Sequence, residues 1–525
     1  MQAVLQAAVA QQVDRICDSP GFCAAPRLAA LFRVLAENLV LIGETKMDQR
    51  SLAARAFGLQ GDFNPATNPL VRVQMTRLRK ALAAYYERDG GLDPIVLEIP
   101  KRSYCLRVSP RGRWSQIANY RAVERARLVV LDFVDRGLPA DQIGTLQEVT
   151  HALLVELGRF HSVTVIGHIP RPRVTDPSQT AHQVTSSYPL SFVLDGSISH
   201  APDGMVLDAR LIDGDTGAQV WARSYPLNGP PAARRSCVSR LAQELADETG
   251  AIAFEILRAA AGKPIDQISV HEAISAVWRF WITGLVADRT YAVQILEYVV
   301  SQVPNSGLAL AYLATIRCEE YVGSETKVMP LPDEVLNLFE RARSLAPADP
   351  WVEVLRCFAQ IFACKTTGVG SLLESLEARP SSGAFTGMLA ACHFCLGSDL
   401  THARRLYARS LAETPHPPYW YRLHMAIIDL AMGDAGAAST LLDEIPNRVD
   451  PAVQIVRAAV ACQLGTLDAA HQFADETVAA CPAYPRYGEI MLRRHLPERV
   501  VDTIAMAVQP LALEWFQDPP SEVLA

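Results

Sequence analysis

One stretch of the chain carries cations and a hydroxyl at spacings that suit contacts with a polyanion. Apolar residues recur there every three or four positions, as on one face of an amphipathic helix; they are Val71, Met75, Leu78, Leu82 and Tyr85. The polar residues opposite that face or on its flanks are Arg72, Thr76, Arg77, Arg79 and Lys80. Guanidinium and ammonium groups donate strong hydrogen bonds to phosphate oxygens. The pattern therefore predicts a nucleic-acid contact, and the alternative is a merely solvated face.

Local signals define the elements that would hold these side chains. Asn68 suits a helix N-cap and Pro69 suits the first helical position, while Gly90 and Gly91 predict the end of the helix. Two short apolar runs follow, over residues 95–99 and 104–108, and they predict a β-hairpin. The tip of this hairpin is basic and contains Lys101, Arg102 and Ser103.

The sequence VRVQMTRLRKAL, followed by a hairpin with a tyrosine, resembles the C-terminal half of an OmpR/PhoB-type winged helix-turn-helix domain. The wider run from Arg27 to Val108 resembles a variant found at the front of proteobacterial proteins that also carry TolB-like and TPR segments. In that family the long helix enters the major groove of DNA and the wing reaches the minor groove. The resemblance implies a DNA-binding set made of Arg72, Thr76, Arg77, Arg79, Lys80, Lys101, Arg102 and Ser103.

The start of the chain departs from that family. Standard members open with a small β-sheet, whereas residues 2–17 here have the apolar spacing of a helix. Two further helices are predicted before the basic one, through residues 28–39 and 49–57. We therefore assign residues 1–108 to a winged helix-turn-helix domain, in which the extra helix is a candidate for dimerisation.

The composition is that of a soluble protein with several domains. A chain of 525 residues is too long for a single hydrophobic core. Its net charge of −7 conceals an asymmetry along the chain. Residues 1–115 have a net charge of +6, and the remainder has −13. No stretch has the roughly 18–20 apolar residues of a membrane span. Eleven cysteines, an odd number in mostly apolar surroundings, favour a reducing cytosol over a disulfide framework.

After a linker at residues 109–126, residues 127–258 alternate strand and helix signals in the order β-α-β-α-β-β-β-α. This order predicts a mixed α/β sandwich. The sequences LVVLDFVD, FVLDGSIS and ARLIDGDTGAQVWARSY resemble the TolB-like domain of bacterial regulatory proteins. The last element of this domain is predicted to be one long helix over residues 235–257.

Residues 268–525 are predicted to be helical and repetitive. Prolines end successive helices at intervals of 43, 33, 35, 31 and 36 residues; they are Pro304, Pro347, Pro380, Pro415, Pro446 and Pro482. A period near 34 is typical of tetratricopeptide repeats, which stack into a solenoid with a concave surface. Residues 322–327 are predicted to lie in an insertion, and the chain after Pro482 in a cap.

Three side-chain groups could suggest other chemistry. Cys392 and Cys395 have metal-ligand spacing, but no second pair follows, so buried apolar cysteines are favoured. The same interpretation applies to Cys357 and Cys364. The carboxylates at positions 195, 213 and 215 lie mostly in turn sequences. We expect no metal, no cofactor and no catalytic residue, because the common nucleotide-binding, zinc-protease and hydrolase motifs are absent.

The sequence thus predicts a multidomain α+β protein: a winged helix, a TolB-like sandwich and an all-α TPR solenoid. The favoured function is a cytoplasmic transcriptional regulator that binds double-stranded DNA, self-associates and receives a protein or peptide on the concave face of the solenoid. Two alternatives stay open. One is a TPR scaffold whose winged helix docks protein, and the other is an enzyme of unrecognised class with a site near residues 190–225.

Overall fold

The chain forms two compact units in a computed structural model, residues Met1–Tyr120 (the head) and Arg121–Ala525 (the body). The structure describes all residues except 1–8, 10–11, 43–46, 60–62, 66, 89–94, 100–103, 111–122, 139–142, 170–190, 203, 215, 323–332, 447–450, 483–491, 494–495 and 512–525. Helices and a mixed sheet are both present, and the C-terminal part is helical, which confirms an α+β chain at that coarse level.

The head contains a set of helices followed by a two-stranded sheet. Its elements are α1 (residues 12–17), α2 (Pro20–Cys23), α3 (Pro26–Ile42), α4 (Gln49–Phe57), α5 (Leu70–Arg88), β1 (Ile95–Glu98) and β2 (Arg107–Pro110). The part of the predicted first helix before residue 9 lies outside the described residues. The apolar face predicted for α5 is buried, because its five residues pack into the core of the head.

The second strand of the hairpin lies later in the chain than predicted. The pairing is antiparallel, with Leu97 opposite Val108 and Glu98 opposite Arg107. The predicted strand over residues 104–106 is wrong, because this segment turns into the core instead. The Tyr104 carbonyl accepts a hydrogen bond from the Met47 amide at 3.1 Å, and Leu106 is fully buried.

The body begins with a six-stranded mixed sheet. Its strands are β3 (Ala126–Leu131), β4 (Val134–Arg136), β5 (Val163–Ile169), β6 (Ser191–Ala201), β7 (Gly204–Asp213) and β8 (Gln219–Pro226), with α6 (Ile143–Leu157) in the first crossover. The order is β5-β3-β6-β7-β8, and β4 pairs with β6. Strands β3, β5 and β6 are parallel, and the last three are antiparallel. The helix predicted over residues 178–186 lies outside the described residues.

The long helix predicted over residues 235–257 is two helices, α7 (Pro231–Ala246) and α8 (Ala251–Ala260). The prediction was wrong because the helical spacing of apolar residues continues on both sides of a break at residues 247–250. Gly250 is required in this break, since a Cβ atom there would lie 2.8 Å from the carbonyl oxygen of Leu245. The break places Asp247 and Glu248, both buried, against the helices that follow.

The remaining helices pair in chain order. They are α9 (Val270–Thr283), α10 (Val286–Gln302), α11 (Gly307–Val322), α12 (Asp333–Leu345), α13 (Pro350–Phe362), α14 (Val369–Glu377), α15 (Gly383–Leu396), α16 (Leu400–Glu413), α17 (Tyr419–Ala431), α18 (Ala435–Asp443), α19 (Pro451–Gln463), α20 (Leu467–Ala480) and α21 (Glu498–Val508). Each of the six prolines used as a marker lies two or three residues beyond the second helix of a pair. The predicted insertion after residue 322 lies outside the described residues.

Two adjacent carboxylates join the sheet region (residues 126–260) to the helical array (residues 270–508). Glu248 accepts hydrogen bonds from the Trp351 indole at 2.9 Å and from the Ser382 hydroxyl at 2.7 Å. Asp247 accepts a hydrogen bond from the Ala384 amide at 3.1 Å, at the N-terminus of α15. Unpaired amides and the helix dipole favour a carboxylate at that position. The two regions therefore share a polar junction within one unit.

A second set of polar contacts strengthens this junction. Arg125 forms an ion pair with Asp349, the N-cap residue of α13. The His271 ring nitrogen Nδ1 lies 3.0 Å from the Glu124 carbonyl oxygen, and the Ser306 hydroxyl donates to the Glu124 carboxylate at 2.6 Å. These contacts join the segment just before β3 to three helices of the array.

The buried carboxylates should make the stability of the body depend on pH. Burial first, and then the charge of Asp247, raise the pKa of Glu248 to about 8 from an ordinary value near 4.5. Burial likewise raises the pKa of Asp247. The folded protein then holds a proton that the unfolded chain releases above pH 4.5, so stability falls as the pH rises from about 5 to 8. Glu248 is expected to change the free energy of unfolding by at most about 1.4 kcal/mol per pH unit.

The Glu248→Gln variant isolates this contribution, because the amide keeps the size of the side chain and cannot ionise. Chemical denaturation of both proteins at pH 5, 6, 7 and 8 measures it. We expect the stability of the wild type to decrease relative to the variant across this range. If the free energies of unfolding of the two proteins change in parallel with pH, Glu248 titrates in the folded protein as it does in the unfolded chain.

Candidate nucleic-acid interface

Helix α5 presents a polar face on the side away from its buried stripe. Arg72, Thr76, Arg77 and Lys80 are all exposed there. Val73, which the sequence analysis did not select, is 44% exposed on the same face. Its only sequence signal was its spacing of three and four residues from Thr76 and Arg77. The face thus combines cations, a hydroxyl and a small apolar group.

Two residues on this face donate hydrogen bonds to backbone carbonyl oxygens nearby in the chain. The Arg72 guanidinium donates to the Pro65 carbonyl oxygen at 3.3 Å, which ties the start of α5 to the loop before it. The Thr76 hydroxyl donates to the Arg72 carbonyl oxygen at 2.9 Å, a common arrangement for threonine within a helix. The Thr76 oxygen keeps acceptor capacity for an external donor. Asn68 caps the helix as predicted, accepting from the Leu70 amide at 3.0 Å.

Arg79 has a different environment from the other cations. It is half-buried, and its Nε donates to the Ile99 carbonyl oxygen at 3.2 Å, just after β1. This bond joins α5 to the segment just after β1, so Arg79 holds the helix and the hairpin together. The predicted wing-tip residues Lys101, Arg102 and Ser103 lie outside the described residues.

The helix before α5 has well-defined ends that fix its direction. Asp48 caps the start of α4, accepting from the amides of Arg50 and Ser51 at 2.8 and 2.9 Å. The Ser51 hydroxyl also donates to Asp48, and these bonds lower the pKa of the Asp48 carboxyl. At the other end, Gly58 adopts the left-handed conformation with φ +67°, which favours glycine. Both ends of α4 are therefore encoded locally.

The carboxylates considered from the sequence are not assembled into an acidic site among the described residues. Asp195 is buried and forms an ion pair with Arg210, its partner across β6 and β7. Asp213 accepts from the amide and the hydroxyl of Thr216, both at 2.7 Å, as expected for a turn. Asp215 lies outside the described residues.

The burial expected for Cys392 and Cys395 is complete for the first and partial for the second. Cys392 is fully buried and burial raises its pKa well above the ordinary value, while Cys395 is half-buried. The burial expected for Cys357 is present, but that expected for Cys364 is wrong. Helix α13 ends at Phe362, and Cys364 lies in the following turn with φ 56°, where it is exposed.

A different group gathers metal-binding atoms. Among the described residues, Glu377, His393 and His402 place one ligand atom each within 4.8 Å of the others. Burial lowers the pKa of His393, which favours the neutral ring, the form that coordinates a metal. The sequence gives no signal for this group, because its members lie on three helices with no short spacing between them. Only the pairing of the helices makes them neighbours.

The chain matches no protein-family model, and no curated protein is significantly similar to it. Within the described part of the chain, no helix is both long and apolar enough to cross a membrane.

Proposed function

We propose that this protein is a DNA-binding transcriptional regulator whose head holds α5 against duplex DNA. The observation that carries the proposal is the two-sided character of α5. Val71, Met75 and Leu78 are fully buried on one side, and Arg72, Thr76, Arg77 and Lys80 are exposed on the other. A docked helix with an exposed cationic face, followed by a hairpin, is the arrangement that a winged helix uses in a groove.

The side chains on this face suit different parts of the duplex. Arg77 and Lys80 suit the phosphates, because their charges are exposed and most affinity for DNA comes from such contacts. Arg72 and Thr76 suit base edges, and Val73 suits a thymine methyl group. Arg79 would hold the wing in place so that Lys101, Arg102 and Ser103 can reach the neighbouring groove.

We assign the body to input and assembly. Its net charge contrasts with the basic head, since residues after 115 carry −13, which disfavours contact of the body with phosphates. The paired helices suit a protein or peptide partner on their concave face, as in tetratricopeptide arrays. One winged helix covers little DNA, so self-association on paired half-sites is part of the proposal. The proposed location is the cytoplasm, at the nucleoid.

A binding titration against salt tests the proposal. The double variant Arg77→Glu, Lys80→Glu should lower the affinity for any duplex by at least about tenfold at moderate salt. It should also reduce the slope of log K against log salt by about 0.9 for each lost phosphate contact. Fluorescence anisotropy with a labelled random duplex at four salt concentrations measures both quantities.

The matched control is Arg27→Glu, at an exposed position in the first turn of α3 outside the proposed interface. It reverses one charge of the same kind, and its slope should stay at the wild-type value. An unchanged slope in the double variant would remove Arg77 and Lys80 from the interface. If the wild type binds no duplex at low salt but retains a protein partner, the head is a protein-docking module.

A further inference from the structure

Three consecutive helices bring a carboxylate and two imidazoles together in the helical array. Glu377 is the last residue of α14, His393 lies near the end of α15, and His402 lies in the first turn of α16. Glu377 Oε2 lies 2.9 Å from His402 Nε2 and 3.7 Å from His393 Nε2. The two rings are nearly perpendicular, with centroids 4.8 Å apart. All three ligand atoms therefore point toward a shared space.

The His393 ring has an unused nitrogen in this space. Its residue is only 8% exposed, and its buried Nε2 atom has no hydrogen-bond partner in the structure. The 3.7 Å to the Glu377 carboxylate is too long for a hydrogen bond. A buried polar atom without a partner destabilises the folded state. A ligand bound at Nε2 would give this atom the partner that it lacks.

The local charge favours a cation. Besides Glu377, the carboxylates of Asp399 and Glu374 act electrostatically on the His393 ring. The guanidinium of Arg405 opposes them, 2.6 Å from His402 Nδ1. Three carboxylates against one guanidinium leave the site net negative.

We propose that Glu377, His393 and His402 form a zinc site, with the two Nε2 atoms and one carboxylate oxygen as ligands. Imidazole and carboxylate together suit zinc among the available divalent ions. Tetrahedral coordination with bonds near 2.0–2.1 Å requires ligand atoms about 3.3 Å apart. The distances from Glu377 Oε2 to His402 Nε2 and to His393 Nε2, 2.9 and 3.7 Å, bracket this value. All three ligand atoms lie within 4.8 Å of one another, so side-chain rotations complete the site. Water takes the fourth position.

Arg405 sets the tautomer of His402 in the absence of zinc. Arginine can only donate, so His402 Nδ1 accepts from Arg405 and the proton of the ring lies on Nε2, toward Glu377. Zinc takes the Nε2 lone pair, and the ring proton moves to Nδ1, where it repels the guanidinium. Arg405 is exposed and free to turn into solvent. Bound zinc then ties α14 of one helix pair to α15 and α16 of the next.

Calorimetric titration of the metal-stripped full-length protein with zinc chloride tests the site. We expect one ion per chain, and an affinity at least about tenfold lower in His393→Gln and in His402→Gln. Arg405→Ala should bind zinc more tightly than the wild type. Zinc should also raise the midpoint of thermal unfolding of the wild type, but not that of His402→Gln.

Controls separate this site from other zinc ligands. His471→Gln removes an exposed histidine from α20 and should leave the titration unchanged. Cobalt(II) in place of zinc should give a spectrum without a thiolate charge-transfer band, which excludes the exposed Cys23 and Cys364. Circular dichroism confirms that each variant is folded. Equal zinc affinity in the wild type and His402→Gln, or a thiolate band, would overturn the proposal.

Discussion

Replacing Trp351 by alanine is expected to lower the free energy of unfolding of the body by about 3–5 kcal/mol. The indole is 2% exposed and makes edge-to-face contacts with Trp278 and Phe385, at centroid distances of 5.5 and 5.1 Å. Its Nε1 also donates to the buried Glu248. The substitution therefore opens a cavity in the array and removes a donor from the junction with the sheet region. Denaturant titration followed by circular dichroism measures the loss.

The variant Trp351→Phe separates the two contributions. Phenylalanine keeps much of the apolar volume but lacks the donor for Glu248, so we expect a smaller loss of about 1–3 kcal/mol. A loss in Trp351→Phe equal to that in Trp351→Ala would assign the whole effect to the hydrogen bond. No loss in either variant would contradict the packing of Trp351 against Trp278 and Phe385 and its hydrogen bond to Glu248.

Replacing Leu78 by alanine should destabilise the head by about 2–5 kcal/mol and lower its unfolding midpoint by at least about 10 °C. Leu78 is fully buried on the apolar face of α5. Because the interface side of the helix is untouched, DNA affinity at a temperature where the head is folded should stay within about threefold of the wild type. Thermal denaturation and DNA binding at low temperature measure the two effects separately.

Val73→Ala is the matched control on the opposite side of the same helix. Val73 is 44% exposed, so its truncation should change stability by less than about 0.5 kcal/mol. The charge-reversal variant at Arg77 and Lys80 should show the converse behaviour, with weak DNA binding and nearly unchanged stability. Loss of DNA binding in a folded Leu78→Ala variant would contradict the division of α5 into a packing side and a binding side.

Local pattern was sufficient for the elements whose partners lie nearby in the chain. The stripe on α5 was predicted because a helix places residues three and four apart on one face, and all five of its members are buried. The ends of six helices were predicted from prolines, since proline cannot continue a helix. The cap at Asn68 followed from the same local chemistry.

The sequence failed where distant residues decided the outcome. The break at residues 247–250 was missed, because apolar spacing continues on both sides of it. Its reason is tertiary: Glu248 bonds to Trp351, more than 100 positions later. The hairpin strand was misplaced because Tyr104 bonds to Met47 and Leu106 enters the core. Neither contact leaves a signal in the local pattern.

By itself, the sequence determined the helical periodicity of the array, five of the six strands of the body sheet and the charged face of α5, because each depends on residues close together in the chain. Only the tertiary structure decided that Arg79 bonds to the wing segment, and that Glu377, His393 and His402 share one space. Hydrogen bonding and coordination need atoms within a few ångströms. Residues on separate helices reach that distance only after the helices pack.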